Sequence, residues 1–147
     1  MHRQSRFQGP KKYLLVMLLF ASPARAENAI NQLSDAERRG GWQLLFDGKT
    51  SDGWRNYRQQ SISEGWQVQE GALVRVMDGA GDIISNQQFE KFELSLEYRI
   101  TSGGNSGIGF HITEELPRAL YSGPEIQVLD NRLGRDEQKA GWLYQLY

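Results

Sequence analysis

Two side chains that can move protons lie close together near the middle of the chain. His111 is one of two histidines, and Glu125 follows it fourteen positions later, just after a Gly-Pro pair. An imidazole titrates near neutral pH. A carboxylate can orient it, act as a base itself, or hold a divalent cation together with it. The stretch from Gly103 to Asp130 is therefore the predicted site of chemistry.

Two predicted strands position these groups. Ile108 to Thr113 and Glu125 to Leu129 both alternate in polarity, and side chains along a strand point to opposite faces in turn. If the apolar positions share one core, His111, Glu125 and Gln127 converge on the other face. In the alternative interpretation, His111 is a strand histidine whose ring nitrogens form hydrogen bonds with its neighbours. Glu125 and Gln127 then lie on a solvent-exposed outer face of the sheet.

The remaining sequence predicts further short strands with glycine-rich turns. A short helix or a loose leader is expected in the segment of residues 27–39, where Ser34 and Glu37 have capping-box spacing. The Gly-rich residues 78–82 are interpreted as a loop that joins two strands. Many short strands and no long helix indicate an all-β sandwich or jelly roll. The other predicted strands are Trp42–Phe46, Trp66–Val68, Ala72–Val76, Ile83–Ser85, Phe92–Ile100 and Gly141–Tyr147.

The first 26 residues have the order of a secretory signal: a basic head, a short apolar run and a small-residue cleavage site. The apolar run is shorter than the roughly 20 residues of a membrane-spanning helix, so no membrane anchor is expected after cleavage. Removing this segment leaves 12 Lys and Arg against 18 Asp and Glu, a net charge near −6. An acidic chain is unsuited to nucleic acid. With no cysteine, the chain has neither a disulfide nor a thiol nucleophile.

The sequence divides into a signal peptide at 1–26, a leader at 27–40 and the N-terminal part of a β-sandwich domain at 41–147. The last predicted strand stops in mid-pattern, so we expect truncation at the C-terminus. An incomplete sandwich exposes an unpaired edge and part of its core. Residues 27–147 alone are therefore expected to aggregate or to lack activity.

Several motifs in order resemble the 3-keto-disaccharide hydrolase domain family. They are LFDGKT with a following GW (44–54), WQV with GAL (66–73), FELSLEYR (92–99), GGNSGI (103–108), GPEIQVLDN (123–131) and AGWLYQLY (140–147). The resemblance runs from about Gly41 to the end. It implies a concanavalin-like jelly-roll sandwich, secreted by bacteria to the periplasm or beyond, that cleaves glycosides already oxidised at C3.

Matching the family pattern implies a set of site residues. His111 and Glu125 are the catalytic candidates, although many relatives lack a histidine at the first position. Tyr121, Trp142 and Tyr144 are candidates for stacking on a sugar, with core packing as the alternative. The pattern also marks Asn105, Ser106, Gln127 and Asp130 for substrate binding, and turn chemistry is the alternative for Asp130.

Cleavage of a 3-keto-glycoside needs fewer catalytic groups than cleavage of an ordinary glycoside. The C3 carbonyl acidifies the C2 proton, so one base can form an enolate that expels the group at C1, and added water completes hydrolysis. A divalent metal held by His111 and Glu125 is an open alternative with too few ligands to identify the ion. A non-catalytic carbohydrate-binding module of the same fold and a structural, partner-binding sandwich are the rival interpretations.

Overall fold

The computed structural model describes residues 30–132 and 138–144. These residues form one α-helix, α1 (Asp35–Arg39), and three small antiparallel sheets. The first sheet pairs β1 (Trp54–Asn56) with β4 (Ile83–Ser85), and the second pairs β2 (Trp66–Gln69) with β3 (Ala72–Arg75). The third has the order β5 (Asn105–Gly109), β6 (Glu125–Leu129) and β7 (Leu143–Tyr144). A 3-10 helix (Ala119–Tyr121) precedes β6.

Several elements form where local signals in the sequence predicted them. Ser34 accepts from the Glu37 backbone N–H and Glu37 accepts from that of Ser34, which is the predicted capping box. The predicted hairpin is β2 and β3, whose turn contains Glu70 and Gly71 at positive φ. The strand predicted after Pro124 is observed as β6, with the same first and last residues. The all-β class predicted from the sequence is confirmed.

Two predicted strands are absent from the sheets of the described residues. Residues 42–46 pair with no strand, and are tied to β1 by the Trp54 indole N–H, which donates to the Leu45 carbonyl at 2.8 Å. Residues 92–100 also join no ladder. Alternation in the sequence predicts which side chains share a face, whereas a strand also needs a neighbouring backbone.

The first central strand lies earlier than predicted. β5 ends at Gly109 instead of continuing to Thr113. His111 adopts a φ of 53°, a left-handed conformation that breaks the alternation of a strand. The Phe110 N–H still bonds to the Pro124 carbonyl at 3.1 Å, so the chain leaves the sheet at His111.

A buried carboxamide fastens the glycine-rich loop of residues 78–82 to the first sheet. Asn56 is 7% exposed, and its Nδ2 donates to the carbonyls of Ala80 at 2.6 Å and Asp82 at 3.2 Å. Its Oδ1 accepts from the Ser63 N–H, and the Tyr57 N–H donates to the Asp82 carbonyl at 2.9 Å. The loop therefore has a fixed position relative to β1.

An ion pair joins the first sheet to the loop before the 3-10 helix. Arg55 binds Glu114 through two N–H···O contacts of 2.6 and 2.7 Å, and the Arg58 N–H donates to the same carboxylate. These bonds lower the pKa of Glu114 to about 2. The Tyr57 hydroxyl lies 2.7 Å from the Thr113 carbonyl oxygen. Residues far apart in sequence are held together here by charge-assisted hydrogen bonds.

The buried core of the described residues is small. Its apolar members are Ala80, Ala119 and Val128. A cavity of about 660 Å³, here called the apolar trough, is lined by Phe92, Leu94, Leu96, Tyr98, Ile108 and Ile126. The first four of these side chains are each about half exposed. No helix within 30–132 or 138–144 is long and apolar enough to cross a membrane.

Replacing Asn56 with Ala is expected to destabilise the fold by roughly 2 to 4 kcal/mol, because it removes a buried side chain that donates to the Ala80 and Asp82 carbonyls and accepts from the Ser63 N–H. Chemical denaturation measures the change. The exposed Asn105 supplies the matched Asn-to-Ala control, which should alter stability by less than about 0.5 kcal/mol. Equal losses in the two variants would contradict the anchoring role.

Candidate functional site

The third sheet has one polar face, which carries these residues of its three segments: Asn105, Gly107, Gly109, Glu125, Gln127, Leu129, Trp142 and Tyr144. In the antiparallel register Gly107 pairs with Gln127, and Glu125 pairs with Tyr144 on its other side. Directly paired residues of a sheet point to the same face. Glu125 and Gln127 therefore share a face, as the sequence predicted, and Tyr144 joins them.

Gly107 makes room for the catalytic candidate. A Cβ built at this position would overlap the carboxylate of Glu125, so the side chain of Glu125 lies directly over the backbone of β5. Any other residue type at Gly107 would occupy that volume. The last glycine of the GGNSGI motif therefore permits the observed placement of the carboxylate, which any larger residue would displace.

A β-bulge brings Trp142 to the same face. The Gly141 N–H donates to the Gln127 carbonyl at 2.8 Å, and the Gln127 N–H donates to the Trp142 carbonyl at 2.8 Å. Gly141 has a φ of 87°, so two residues of one strand oppose one of the other in the G1 arrangement. Trp142 is 52% exposed beside Gln127. Its ring is available to a ligand.

Gln127 carries an unsatisfied acceptor. The side chain is 8% exposed, and its Oε1 has no hydrogen-bond partner among the described residues. A buried carbonyl oxygen without a donor costs free energy in the folded protein. Because this oxygen is shielded from solvent, a ligand hydroxyl on the polar face would reach it only after the amide turns outward.

A second carboxylate approaches from the glycine-rich loop. Burial raises the pKa of the Glu125 carboxyl above its ordinary value, and the negative charge of Asp82 raises it further. Asp82 is a residue that sequence reasoning missed, because its loop was interpreted as a simple connection. The available signal in the sequence was a carboxylate directly after the closely spaced Gly79 and Gly81.

His111 does not lie with Glu125. Its ring packs against Phe92, with centroids 6.0 Å apart, and against Phe110 at 5.7 Å, and it lines the apolar trough with Ile126. Because Ile126 follows Glu125 in the strand, the trough and the polar face are opposite sides of the sheet. The predicted convergence is wrong in this respect, and the cause is the left-handed backbone at His111.

The residues present do not fit the metal site considered above. Its two proposed ligands, His111 and Glu125, are on opposite sides of the sheet. Within the described part of the chain, no group of three or more His, Cys, Asp or Glu side chains is placed to hold an ion.

Of the two predicted site residues at the start of β5, the structure brings only Asn105 to the polar face. Asn105 pairs with Leu129 and is exposed on the polar side, whereas the exposed Ser106 pairs with Val128 on the other side.

Asp130 has turn chemistry, since its carboxylate accepts from the Gly103 and Arg132 N–H groups at 3.0 and 3.1 Å, and these bonds lower its pKa. Tyr121 lies on the 3-10 helix, 55% exposed, with the Arg118 guanidinium 5.5 Å from its ring centre. The structure brings neither residue to the polar face.

Comparison with known proteins gives consistent matches. Residues 41–147 match the model of the 3-keto-alpha-glucoside-1,2-lyase-like domain. A 3-keto-disaccharide hydrolase of Bacteroides thetaiotaomicron is 34% identical over 67% of this chain, which spans 42% of that relative's length.

A solved structure of a candidate glycosyl hydrolase from Parabacteroides distasonis superposes with a TM-score of 0.61 at 25% identity. The match covers 80% of this chain and 60% of that one. This likeness supports the predicted all-β sandwich class, whereas truncation of the chain stays a prediction.

Replacing Gly107 with Ala is expected to displace the Glu125 carboxylate from its position over β5 and to cost no more than about 1 kcal/mol, because that flexible side chain can rotate away. The same replacement in a Glu125→Ala background should cost much less, since the overlap is gone. A double-mutant cycle from denaturation curves measures the coupling. Additive losses would show that the two groups do not compete for space.

Replacing Asp82 with Asn is expected to lower the pKa of Glu125, because it removes the nearby negative charge and leaves the burial unchanged. Carbon-13 NMR titration of the Glu125 carboxyl measures the midpoint. Asp78→Asn in the same loop is the matched control and should leave that midpoint in place. An unmoved midpoint in Asp82→Asn would refute the coupling.

Proposed function

Because the chain belongs to the 3-keto-alpha-glucoside-1,2-lyase-like family, we propose that it is a secreted carbohydrate-active enzyme that cleaves 3-keto-glycosides. The proposal extends to this chain the activity for which the Bacteroides thetaiotaomicron relative is named. The observation that carries it is the half-buried side chain of Glu125, whose carboxyl has a raised pKa, on a face that also bears Gln127 and an exposed Trp142.

Glu125 is the proposed base. Its carboxylate takes the proton from C2 of the sugar, and the electron pair moves into an enolate with the C3 carbonyl. A raised pKa makes this carboxylate a stronger base than an ordinary glutamate, which suits the abstraction of a weakly acidic C–H proton. Activity should therefore fall as the pH drops through the pKa of Glu125, where the base is protonated.

The enolate then expels the substituent at C1. The C1–O bond breaks, the departing oxygen takes up a proton, and a 1,2-unsaturated 3-keto sugar remains. Water added across that double bond places hydroxyl on C1 and hydrogen on C2, so one water is consumed and the outcome is hydrolysis. Without that addition the reaction ends as an elimination.

Two neighbouring side chains would hold the sugar. Once its amide turns outward, the unpaired Oε1 of Gln127 would accept a hydrogen bond from a ring hydroxyl, which satisfies that acceptor. The exposed indole of Trp142 would stack on the apolar face of the pyranose. Residues 1–26, which lie outside the described part, are the basis for proposing export to the periplasm or beyond.

A carbohydrate-binding module is the second candidate, favoured by the same two residues. Gln127 and Trp142 could hold a sugar without any base, so exposure of Trp142 supports binding as well as catalysis. The two candidates differ in whether Glu125 is required for turnover.

Replacing Glu125 with Gln should reduce turnover of a 3-keto-glucoside by about 100-fold or more, because an amide cannot take the C2 proton. The assay uses the full natural protein and follows both aglycone release and deuterium uptake at C2 in heavy water. His111→Gln is the matched control, expected to retain activity within about threefold because the ring lies on the opposite side of the sheet.

Each result points to one candidate. Full activity of Glu125→Gln would refute the assigned base, and a large loss in His111→Gln would restore histidine to the mechanism. Glycan binding that depends on Trp142 without turnover of any 3-keto sugar would establish the binding module instead.

A further inference from the structure

The glycine-rich loop of residues 78–82 is fastened to the rest of the fold through its backbone. Each of its last three carbonyls accepts a hydrogen bond of 2.6 to 3.2 Å from β1, from β2 or from the segment between them. The donors are the side chains of Asn56, Ser63 and Trp66 and the N–H of Tyr57. All of the donors belong to residues 56–66, so the first half of the described chain fixes the position of the loop.

The side chain of Asp82 takes no part in this anchoring. The fold uses the Asp82 backbone carbonyl, which accepts from Asn56 and from the Tyr57 N–H. Asp82 is exposed, and among the described residues its carboxylate accepts no hydrogen bond. The charge of this carboxylate acts on the Glu125 carboxyl, as is typical of groups about 4 to 6 Å apart. The anchored loop therefore holds Asp82 beside the proposed base.

Two carboxylates held this close repel each other, which costs free energy in the protein without a ligand. The anchoring of the loop does not require the charge, because the Asp82 hydrogen bonds are made by its backbone. An uncharged side chain at this position would leave the loop in place. A charge that the fold does not need, beside a carboxyl on a polar face, is typical of a group that binds a ligand.

The chemistry of a 3-keto sugar limits what this carboxylate can bind. Negative charge develops on the C3 oxygen when Glu125 takes the C2 proton, so the charge of Asp82 next to that oxygen would oppose the reaction. Sugar hydroxyls carry donors that a carboxylate accepts, and such charge-assisted bonds are roughly twice as strong as neutral ones. We infer that Asp82 binds a hydroxyl group of the keto sugar and thereby fixes how the sugar ring lies over Glu125.

This inference rests on the proposed function, because it takes a keto sugar as the ligand. It assigns binding and specificity to Asp82 and leaves the transfer of the C2 proton to Glu125. Because the loop is already anchored, the contact forms without rearrangement of the backbone, and little of its free energy is lost in ordering the loop. Keto sugars that lack the bound hydroxyl should therefore bind less tightly.

Steady-state kinetics of Asp82→Asn in the full natural protein test the contact. The amide keeps the shape of the side chain and loses its charge, so KM for a 3-keto-glucoside should rise by about tenfold. At a pH above the pKa of Glu125, kcat should stay within about threefold, since binding that is equal in the ground and transition states affects KM alone. Asp78→Asn in the same loop is the matched control and should change neither constant. A shifted pH profile with an unchanged KM would show that Asp82 acts only through its charge on Glu125, and would overturn the inference.

Deoxy sugars identify the bound hydroxyl. The substrates are 3-keto-glucosides that lack the hydroxyl at C2, C4 or C6. One of them should have a KM about tenfold higher with the unmodified protein and a KM within about threefold of the parent sugar with Asp82→Asn, because the lost partner is the same. Equal losses with both proteins for all three sugars would refute the contact.

Calorimetric binding of the keto sugar in a Glu125→Gln background separates this inference from the proposed function. Binding that weakens about tenfold when Asp82→Asn is added, from a protein whose unmodified form turns over no keto sugar, would refute the function and support the contact. Turnover by the unmodified protein with an unchanged KM in Asp82→Asn would overturn the inference alone. So would a structure of the natural protein in which another part of the chain forms an ion pair with the Asp82 carboxylate.

Discussion

The alternation of β6 is the constraint on which both surfaces of this protein depend. β6 lies between β5 and β7, so its backbone is paired on both edges and its register is fixed. Successive side chains of such a strand must point to opposite faces. Glu125 and Gln127 therefore form the polar face, whereas Ile126 contributes to the apolar trough. A shift of one residue would exchange the two surfaces.

The chemistry of the polar face has a cost in stability. Burial and the charge of Asp82 favour the neutral form of Glu125, so its pKa is higher in the folded protein than in the unfolded chain. This preference stabilises the fold at a pH below the unfolded value near 4.5 and is lost as the pH rises through the folded pKa. The unpaired oxygen of Gln127 adds a similar cost. Strain of this kind is typical of groups arranged for a ligand.

Hydrogen bonds between distant segments position this face more than a large core does. Asn56 fixes the loop that carries Asp82, and the Arg55–Glu114 ion pair fixes the loop that leads to the 3-10 helix. Glu114 has a pKa of about 2, so this carboxylate stays ionised at any ordinary pH. With three buried apolar side chains among the described residues, polar contacts decide how the sheets meet.

The sequence by itself determined the elements whose signals are local. The capping box, the hairpin at Gly71, the bounds of β6 and the shared face of Glu125 and Gln127 all follow from residues within a few positions of each other. Tertiary structure alone decided the rest. The left-handed backbone at His111 moved that ring into the trough, and a loop held by Asn56 brought Asp82 towards Glu125. These placements depend on contacts between residues far apart in sequence, and periodicity along one strand contains no information about them.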